Sequence, residues 1–114
     1  MEESINKEEA IFEQVCAVNE LDPQAMKDEA QNTGADASAE KLIKTALDYR
    51  AKTLINKLSV DGNIKGDGEE YKIDGDPAAP SFVINEDKIR SKYNSNQADK
   101  IIDVLGQVKL PVQP

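Results

Sequence analysis

The fold is decided by residues 39–59, AEKLIKTALDYRAKTLINKLS. Apolar residues recur in this segment every three or four positions, which is the spacing of one face of an α-helix. Asp36 and Ser38 precede it as candidate N-caps, because their side-chain oxygens can accept hydrogen bonds from the free N–H groups of a first turn. We therefore predict a long amphipathic helix over 39–59. Its apolar face consists of Leu42, Ile43, Ala46, Leu47, Ala51, Leu54, Ile55 and Leu58.

Part of this face is also spaced as in a helix that pairs with a partner helix. Leu47, Ala51, Leu54 and Leu58 follow one another at intervals of four, three and four residues. A coiled coil needs several heptads, whereas this segment supplies only one heptad-like stretch. We interpret the face as part of the chain's own core, with helix pairing as the alternative.

Two shorter helices are predicted before the long one. Residues 5–20 place apolar side chains on one side and glutamates largely elsewhere. Asp22 and Pro23 then provide an N-cap followed by a proline at the first helical position, and Gly34 offers a left-handed stop. A second helix over about 23–33 follows from these signals.

The character of the chain changes at residue 60, where glycine and aspartate become frequent. Residues 63–65 and 69–74, on either side of Gly66-Asp67-Gly68, are typical of a β-hairpin. Residues 81–84 follow Pro80 as a further short strand. The sequence thus predicts a small antiparallel hairpin or a three-stranded sheet.

Helical patterns return after residue 85. Asn85 can cap one or two turns over 86–93, and Asn94 or Ser95 can cap a helix that ends at Gly106. The tail, 107–114, contains one triplet compatible with an edge strand, Val108 to Leu110, and its two prolines exclude it from the centre of a sheet.

We therefore expect an α+β fold in a single domain spanning 1–114. Its parts are a helical region at about 5–59 with three helices, a glycine-rich hairpin and strand at about 60–85, C-terminal helices at about 86–106 of which the last closes on the long helix, and an extended tail at 107–114. The predicted core residues are Phe12, Val15, Leu42, Ile43, Leu47, Leu54, Leu58, Phe82, Ile84, Ile101, Ile102 and Leu105.

Composition narrows the functional classes. The chain carries 22 acidic and 14 basic side chains, a net charge of −8, which argues against direct binding to nucleic acid or to an anionic membrane and permits a basic partner protein. Cys16 is the only cysteine, so no disulfide can form within the chain. The first residues lack the pattern of a signal peptide, and no apolar run is long enough to span a bilayer. A cytoplasmic location is expected.

The acidic residues are concentrated in two blocks. Residues 1–40 contain 11 acidic and two basic side chains, and residues 61–87 contain eight and two, whereas the intervening and following segments are basic. One interpretation is that acidic and basic segments face each other in the fold. The other is that the carboxylates form a docking face for a basic target, including mimicry of nucleic-acid phosphates.

Little in the sequence indicates catalysis or a cofactor. Histidine is absent, which removes the usual general base and the commonest transition-metal ligand. Residues 61–72 resemble a calcium-binding loop, but Lys65 and Lys72 occupy positions that require ligands. Cys16 lies on the apolar side of its helix and is expected to be a buried, unreactive thiol. We expect no enzyme activity, no metal and no cofactor.

The predicted function is therefore a small, acidic, non-catalytic protein-interaction module, such as an inhibitor, an antitoxin-like factor or an immunity-type factor, that docks a basic partner. The alternative is a structural or assembly component, a virion or complex subunit, that self-associates. The glycine-rich hairpin carries both carboxylates and a tyrosine, a residue type enriched at binding hot spots. The predicted partner-binding residues are Asp67, Glu69, Glu70, Tyr71, Asp74 and Asp76.

Overall fold

The computed structural model describes residues 2–32, 34, 38–62, 64, 66–74 and 79–111, with the side chains of 2–7, 39 and 59–62 left undescribed. This part of the chain forms five helices and a two-stranded antiparallel sheet, which confirms an α+β fold. The elements are α1 (Glu2–Val18), α2 (Pro23–Asn32), α3 (Ala39–Gly62), β1 (Tyr71–Asp74), β2 (Ser81–Ile84), α4 (Glu86–Lys92) and α5 (Ser95–Leu105). Four residues given a role above lie outside it: Asp36, Asn63, Lys65 and Asp76.

Helix α3 is the centre of the fold. Ser38 caps it, because the Lys41 N–H donates to the Ser38 hydroxyl oxygen over 3.4 Å. The apolar face packs against α1, α2 and α5, and β1 lies on the same helix. The chain therefore covers this face with its own helices, as the core interpretation expects. Full burial of a side chain such as Leu47 contributes about 1.5–3 kcal/mol.

Most of the predicted core is buried. Phe12, Val15 and Leu105 are almost completely inaccessible, as are the residues predicted on α3 up to Leu54. Four others are only partly buried and pack against the edge of the core: Leu58, Phe82, Ile84 and Ile102.

Helix α1 ends in a Schellman motif without glycine. The Leu21 N–H donates to the Cys16 carbonyl over 2.7 Å, and the Glu20 N–H donates to the Ala17 carbonyl over 3.3 Å. This pair of bonds requires a left-handed residue between them, and Glu20 adopts it with φ 58°. A non-glycine side chain in that region carries backbone strain.

The residue before Glu20, Asn19, binds the C-terminal tail. Its buried amide donates from Nδ2 to the Lys109 carbonyl and accepts at Oδ1 from the Lys109 N–H, each over 2.8 Å. Val108 is buried beside this contact. The triplet Val108–Leu110 therefore forms no strand, because a side chain satisfies the main-chain groups that a neighbouring strand would have bonded.

Strand β1 pairs with β2. Of the predicted hairpin arm at 63–65 the structure describes only Ile64, which lies in no strand. The register places Tyr71 opposite Ile84 and Ile73 opposite Phe82, and the Tyr71 and Phe82 rings stack with centroids 5.1 Å apart. The predicted strand at 81–84 is confirmed, whereas no third strand is seen among the described residues.

Two residues before β1, Ile64 and Gly66, are packed against the rest of the chain. Ile64 is buried outside any strand. Gly66 approaches the helix so closely that an added Cβ would lie 2.9 Å from Ile55 Cδ1. Gly68 has φ 91°, a conformation that glycine adopts without strain. Packing and turn geometry thus account for these two glycines.

The C-terminal helices follow their predicted signals with one exception. Asn94 caps α5, accepting from the Gln97 N–H over 2.9 Å, and Gly106 closes the helix. Asn85 makes no side-chain cap bond to α4, and its N–H donates to the Glu70 carbonyl over 2.8 Å. Across the described part of the chain, no helix combines the length and apolar character needed to cross a membrane.

Candidate functional site

The predicted partner-binding residues divide between the surface and the interior. Those with exposed side chains are Asp67, Glu69 and Asp74, whereas Glu70 and Tyr71 are buried. The fold therefore does not present them as one acidic face.

Glu70 is the centre of a buried polar cluster, and its side chain is 0% exposed. Its carboxylate accepts from the Gly68 N–H over 3.1 Å and from the Tyr93 hydroxyl over 3.0 Å. The Lys92 ammonium lies 3.7 Å from Glu70 Oε2. Burial, followed by the hydrogen bond to Glu70 and the charge of that carboxylate, raises the pKa of Tyr93 to about 12. The contacts of Glu70 thus connect the loop before β1 to the end of α4, and its side chain points into the protein.

The cations of α4 also neutralise the exposed carboxylates of the loop. Lys92 forms an ion pair with Asp67. The Lys88 ammonium lies 3.6 Å from the Glu69 carboxylate, whose side chain is 58% exposed. Three carboxylates of the second acidic block therefore face the basic segment that follows it, in line with the first interpretation of the charge blocks.

Tyr71 is an internal contact between β1 and α3. Its ring is buried, and its hydroxyl donates to Asp48 Oδ1. Burial is the largest cause that raises the pKa of Tyr71 far above the ordinary value, and the hydrogen bond to Asp48 adds to it. The Tyr71 hydroxyl therefore already donates its hydrogen bond within the chain.

Asp74 lies at the opposite end of β1 from this cluster. It accepts from the Ser81 hydroxyl over 3.2 Å and lies 3.8 Å from the Lys72 ammonium. It lies four residue steps along the chain from Glu70, which corresponds to about 13 Å in a strand. It is therefore spatially apart from Asp67 and Glu69.

Five exposed carboxylates without an ion pair to a described residue lie on the first two helices and in the turn between them. We call the exposed residues Glu9, Glu13, Glu20, Asp22 and Asp28 the α1–α2 acidic surface. None of them forms an ion pair with another residue that the structure describes. Glu9 and Glu13 are one helical turn apart, so they share a face of α1.

The thiol of Cys16 shows that this surface continues from α1 into the following turn. Burial, followed by the charges of Asp22 and Glu13 and opposed by that of Lys27, raises the pKa of Cys16 to about 11. Two carboxylates from different segments therefore lie close to one thiol. The raised pKa and the burial also leave Cys16 protonated and inaccessible, as predicted for an unreactive cysteine.

A polar groove of about 460 Å³ runs along the outer face of α3 beside α2. Tyr49 is 39% exposed there. Asp48 and Lys52 form an ion pair of 3.1 Å in it, and Asp48 also accepts from Tyr71. The residues that line the groove are Glu29, Thr45, Asp48, Tyr49, Lys52, Thr53 and Asn56.

Sequence reasoning did not find this groove. The signal was the polar side of the long helix, where positions 45, 49, 52 and 56 recur at helical spacing opposite the apolar face. No sequence pattern indicates that Glu29 lines the groove, because its position depends on how α2 packs against α3.

In the segment that resembles a calcium-binding loop, the described candidate ligands make other contacts. Asp67 and Glu69 pair with lysines, and Gly66 and Gly68 serve packing and turn geometry. Among the described residues, no three histidine, cysteine, aspartate or glutamate side chains are grouped as metal ligands.

Comparison of the chain with models of protein families, with curated proteins and with solved structures found no match in any of the three.

Proposed function

We propose that this chain is a small, non-catalytic interaction module whose α1–α2 acidic surface docks a basic surface of another protein. The observation that carries the proposal is the contrast between the two acidic blocks. The carboxylates of the loop before β1 are paired with α4, whereas those of the α1–α2 acidic surface have no cationic partner among the described residues.

Unpaired carboxylates on one surface attract a basic partner over several ångströms and increase its rate of association. The net charge of −8 adds to this attraction. At physiological ionic strength the Debye length is about 8 Å, so binding of this kind weakens as salt is added. An inhibitor, antitoxin-like or immunity-type factor that covers a basic site would have these properties.

The support for a binding role over catalysis is chemical. The sequence has no histidine, and the one thiol is buried with a raised pKa. Tyr49 and Glu29 line the groove on α3, where an exposed aromatic ring and a carboxylate suit a lysine or arginine side chain.

The experiment is affinity capture from the native host with three baits, followed by binding measurements on the captured partner. The baits are the wild type, the double variant Glu13→Lys and Asp22→Lys, and a control, Asp87→Lys and Asp103→Lys. The control also reverses two exposed carboxylates that form no ion pair with a described residue, but it places them on α4 and α5. The two double variants therefore have equal net charge.

We expect the wild type and the control to capture the same basic protein and the α1–α2 variant to lose it. Two reversed charges on a docking face should weaken binding by about 10- to 100-fold at low salt. Circular dichroism would verify that all three baits are folded. Equal capture by both double variants, or affinity that does not change with ionic strength, would show that the α1–α2 acidic surface is not the docking face.

A further inference from the structure

We propose that the free edge of β2 pairs with β2 of a second copy of this chain, antiparallel about a two-fold axis, and forms a four-stranded sheet across a weak homodimer. The proposal goes beyond docking of a basic partner and rests on different residues. Its failure would leave the α1–α2 acidic surface unaffected.

The alternation of hydrogen-bonded and non-bonded residue pairs in the sheet shows which main-chain groups of β2 face its free edge. The Asn85 N–H donates to the Glu70 carbonyl, one register step beyond the pair Tyr71–Ile84. Bonded and non-bonded pairs alternate in an antiparallel ladder, so Tyr71–Ile84 and Ile73–Phe82 are non-bonded pairs. The N–H and C=O groups of Phe82 and Ile84 therefore point away from β1.

These outward groups have no hydrogen-bond partner in the described part of the chain. β1 contacts α3, whereas β2 lies at the outer side of the two-stranded sheet. An unpaired edge of this kind is a template for another strand.

The strand is complementary to itself. Its outward groups, on Phe82 and Ile84, lie symmetrically on either side of Val83. A two-fold axis at Val83 places Phe82 opposite Ile84 of the second copy, and each such pair exchanges both of its main-chain hydrogen bonds. Val83 then meets Val83 of the second copy in a non-bonded pair, where Cα atoms are about 4.5 Å apart.

Side-chain chemistry favours this occupant. Among the described residues, Val83 is the most exposed large hydrophobic side chain, at 52%, and the pairing covers it with another β-branched side chain, a contact worth about 0.2–1 kcal/mol. Residues 81–84 carry no charge. Two copies can therefore meet along β2 without placing like charges directly opposite each other, although each carries a net charge of −8.

The small area of the interface limits the affinity of the dimer. A four-residue edge covers less than the roughly 1,200–2,000 Å² of a stable interface, so the dimer should dissociate readily. We expect a dissociation constant on the order of 10⁻⁴ M.

Cysteine cross-linking tests the geometry directly. Val83→Cys places one thiol against its copy, and Lys72→Cys is the matched control on the same face of the sheet, one strand further in. In the paired sheet the two copies of residue 72 are three strand spacings apart, about 14 Å, beyond disulfide reach. Cys16 is buried and does not compete.

Under mild oxidation at about 0.1 mM protein, the Val83→Cys chain should form disulfide-linked dimers at least 10-fold faster than the Lys72→Cys chain. Sedimentation equilibrium of the wild type should show a rising mean mass up to about 1 mM, and Val83→Lys should remove the rise by opposing two cations at the axis. Equal cross-linking of the two cysteines overturns the proposal. A constant monomer mass for the wild type overturns it as well.

Discussion

Glu70 offers the sharpest test of the structure, because a fully buried carboxylate follows directly after an exposed one. Replacement of Glu70 by alanine removes the acceptor for the Gly68 N–H and the Tyr93 hydroxyl and deprives Lys92 of a charge partner. A buried donor left without an acceptor costs about 1–3 kcal/mol. Release of the carboxylate from its desolvated site offsets part of this cost. We expect a net loss of about 3 kcal/mol in the free energy of unfolding.

Urea unfolding monitored by circular dichroism would measure the loss, with Glu69→Ala as the matched control. Glu69 makes one exposed ion pair of 3.6 Å, so its removal should cost at most about 0.5 kcal/mol. Glu70→Gln keeps one carbonyl acceptor without the charge and should fall between the two variants. A loss below about 1 kcal/mol for Glu70→Ala, or equal effects at the two positions, would refute the buried cluster.

Three further predictions concern the backbone and the thiol. Gly66→Ala should destabilise the chain by about 1–3 kcal/mol in urea unfolding, since the new methyl group meets Ile55 at 2.9 Å. Glu20→Gly should raise stability by about 0.5–1 kcal/mol in the same assay, because glycine relieves the left-handed strain at φ 58°, whereas Glu20→Ala should give no gain. The folded Cys16 thiol keeps its proton to a higher pH than the unfolded thiol, so its contribution to stability should be fully present below pH 9.0 and be lost as pH rises through about 11. Cys16→Ala should show a shallower fall over that window in thermal melts across a pH series.

The helices were predictable because their signals are local. The apolar period of α3, the proline at the start of α2 and the Asn94 cap of α5 each lie within the segment that they organise. The left-handed turn at Glu20 could not be predicted, because glutamate is not typical of that conformation. Only the packing of α1 against the following turn requires it.

The predicted hairpin arm at 63–65 is not confirmed, and the glycines that suggested it have a tertiary role. Gly66-Asp67-Gly68 has the composition of a hairpin turn, but Gly66 is there because the chain passes close to Ile55. Glycine is favoured both in turns and where two segments pack closely, and the sequence alone does not distinguish these two causes.

The candidate site was only partly predictable for a related reason. Charged residues are usually exposed, so the acidic loop was interpreted as a surface. The pattern does not show that Lys88 and Lys92 fold back onto Asp67, Glu69 and Glu70, because the paired residues are 19 to 25 positions apart in the chain. The sequence shows that the acidic residues are concentrated in two blocks. It does not show which block keeps carboxylates without a cationic partner in the fold.

The bond between Asn19 and Lys109 has a consequence for folding during synthesis. The two residues are 90 positions apart, so the ribosome makes the first long before the second. Until Lys109 emerges, the Asn19 side chain lacks its two bonds to the tail and keeps, of its native bonds, the one to the Val15 carbonyl of its own helix. Helix α1 can therefore dock on α3 early, while the end of α1 is secured last. Pulse proteolysis of stalled nascent chains should show the turn at 19–22 becoming protected only after the tail has left the exit tunnel.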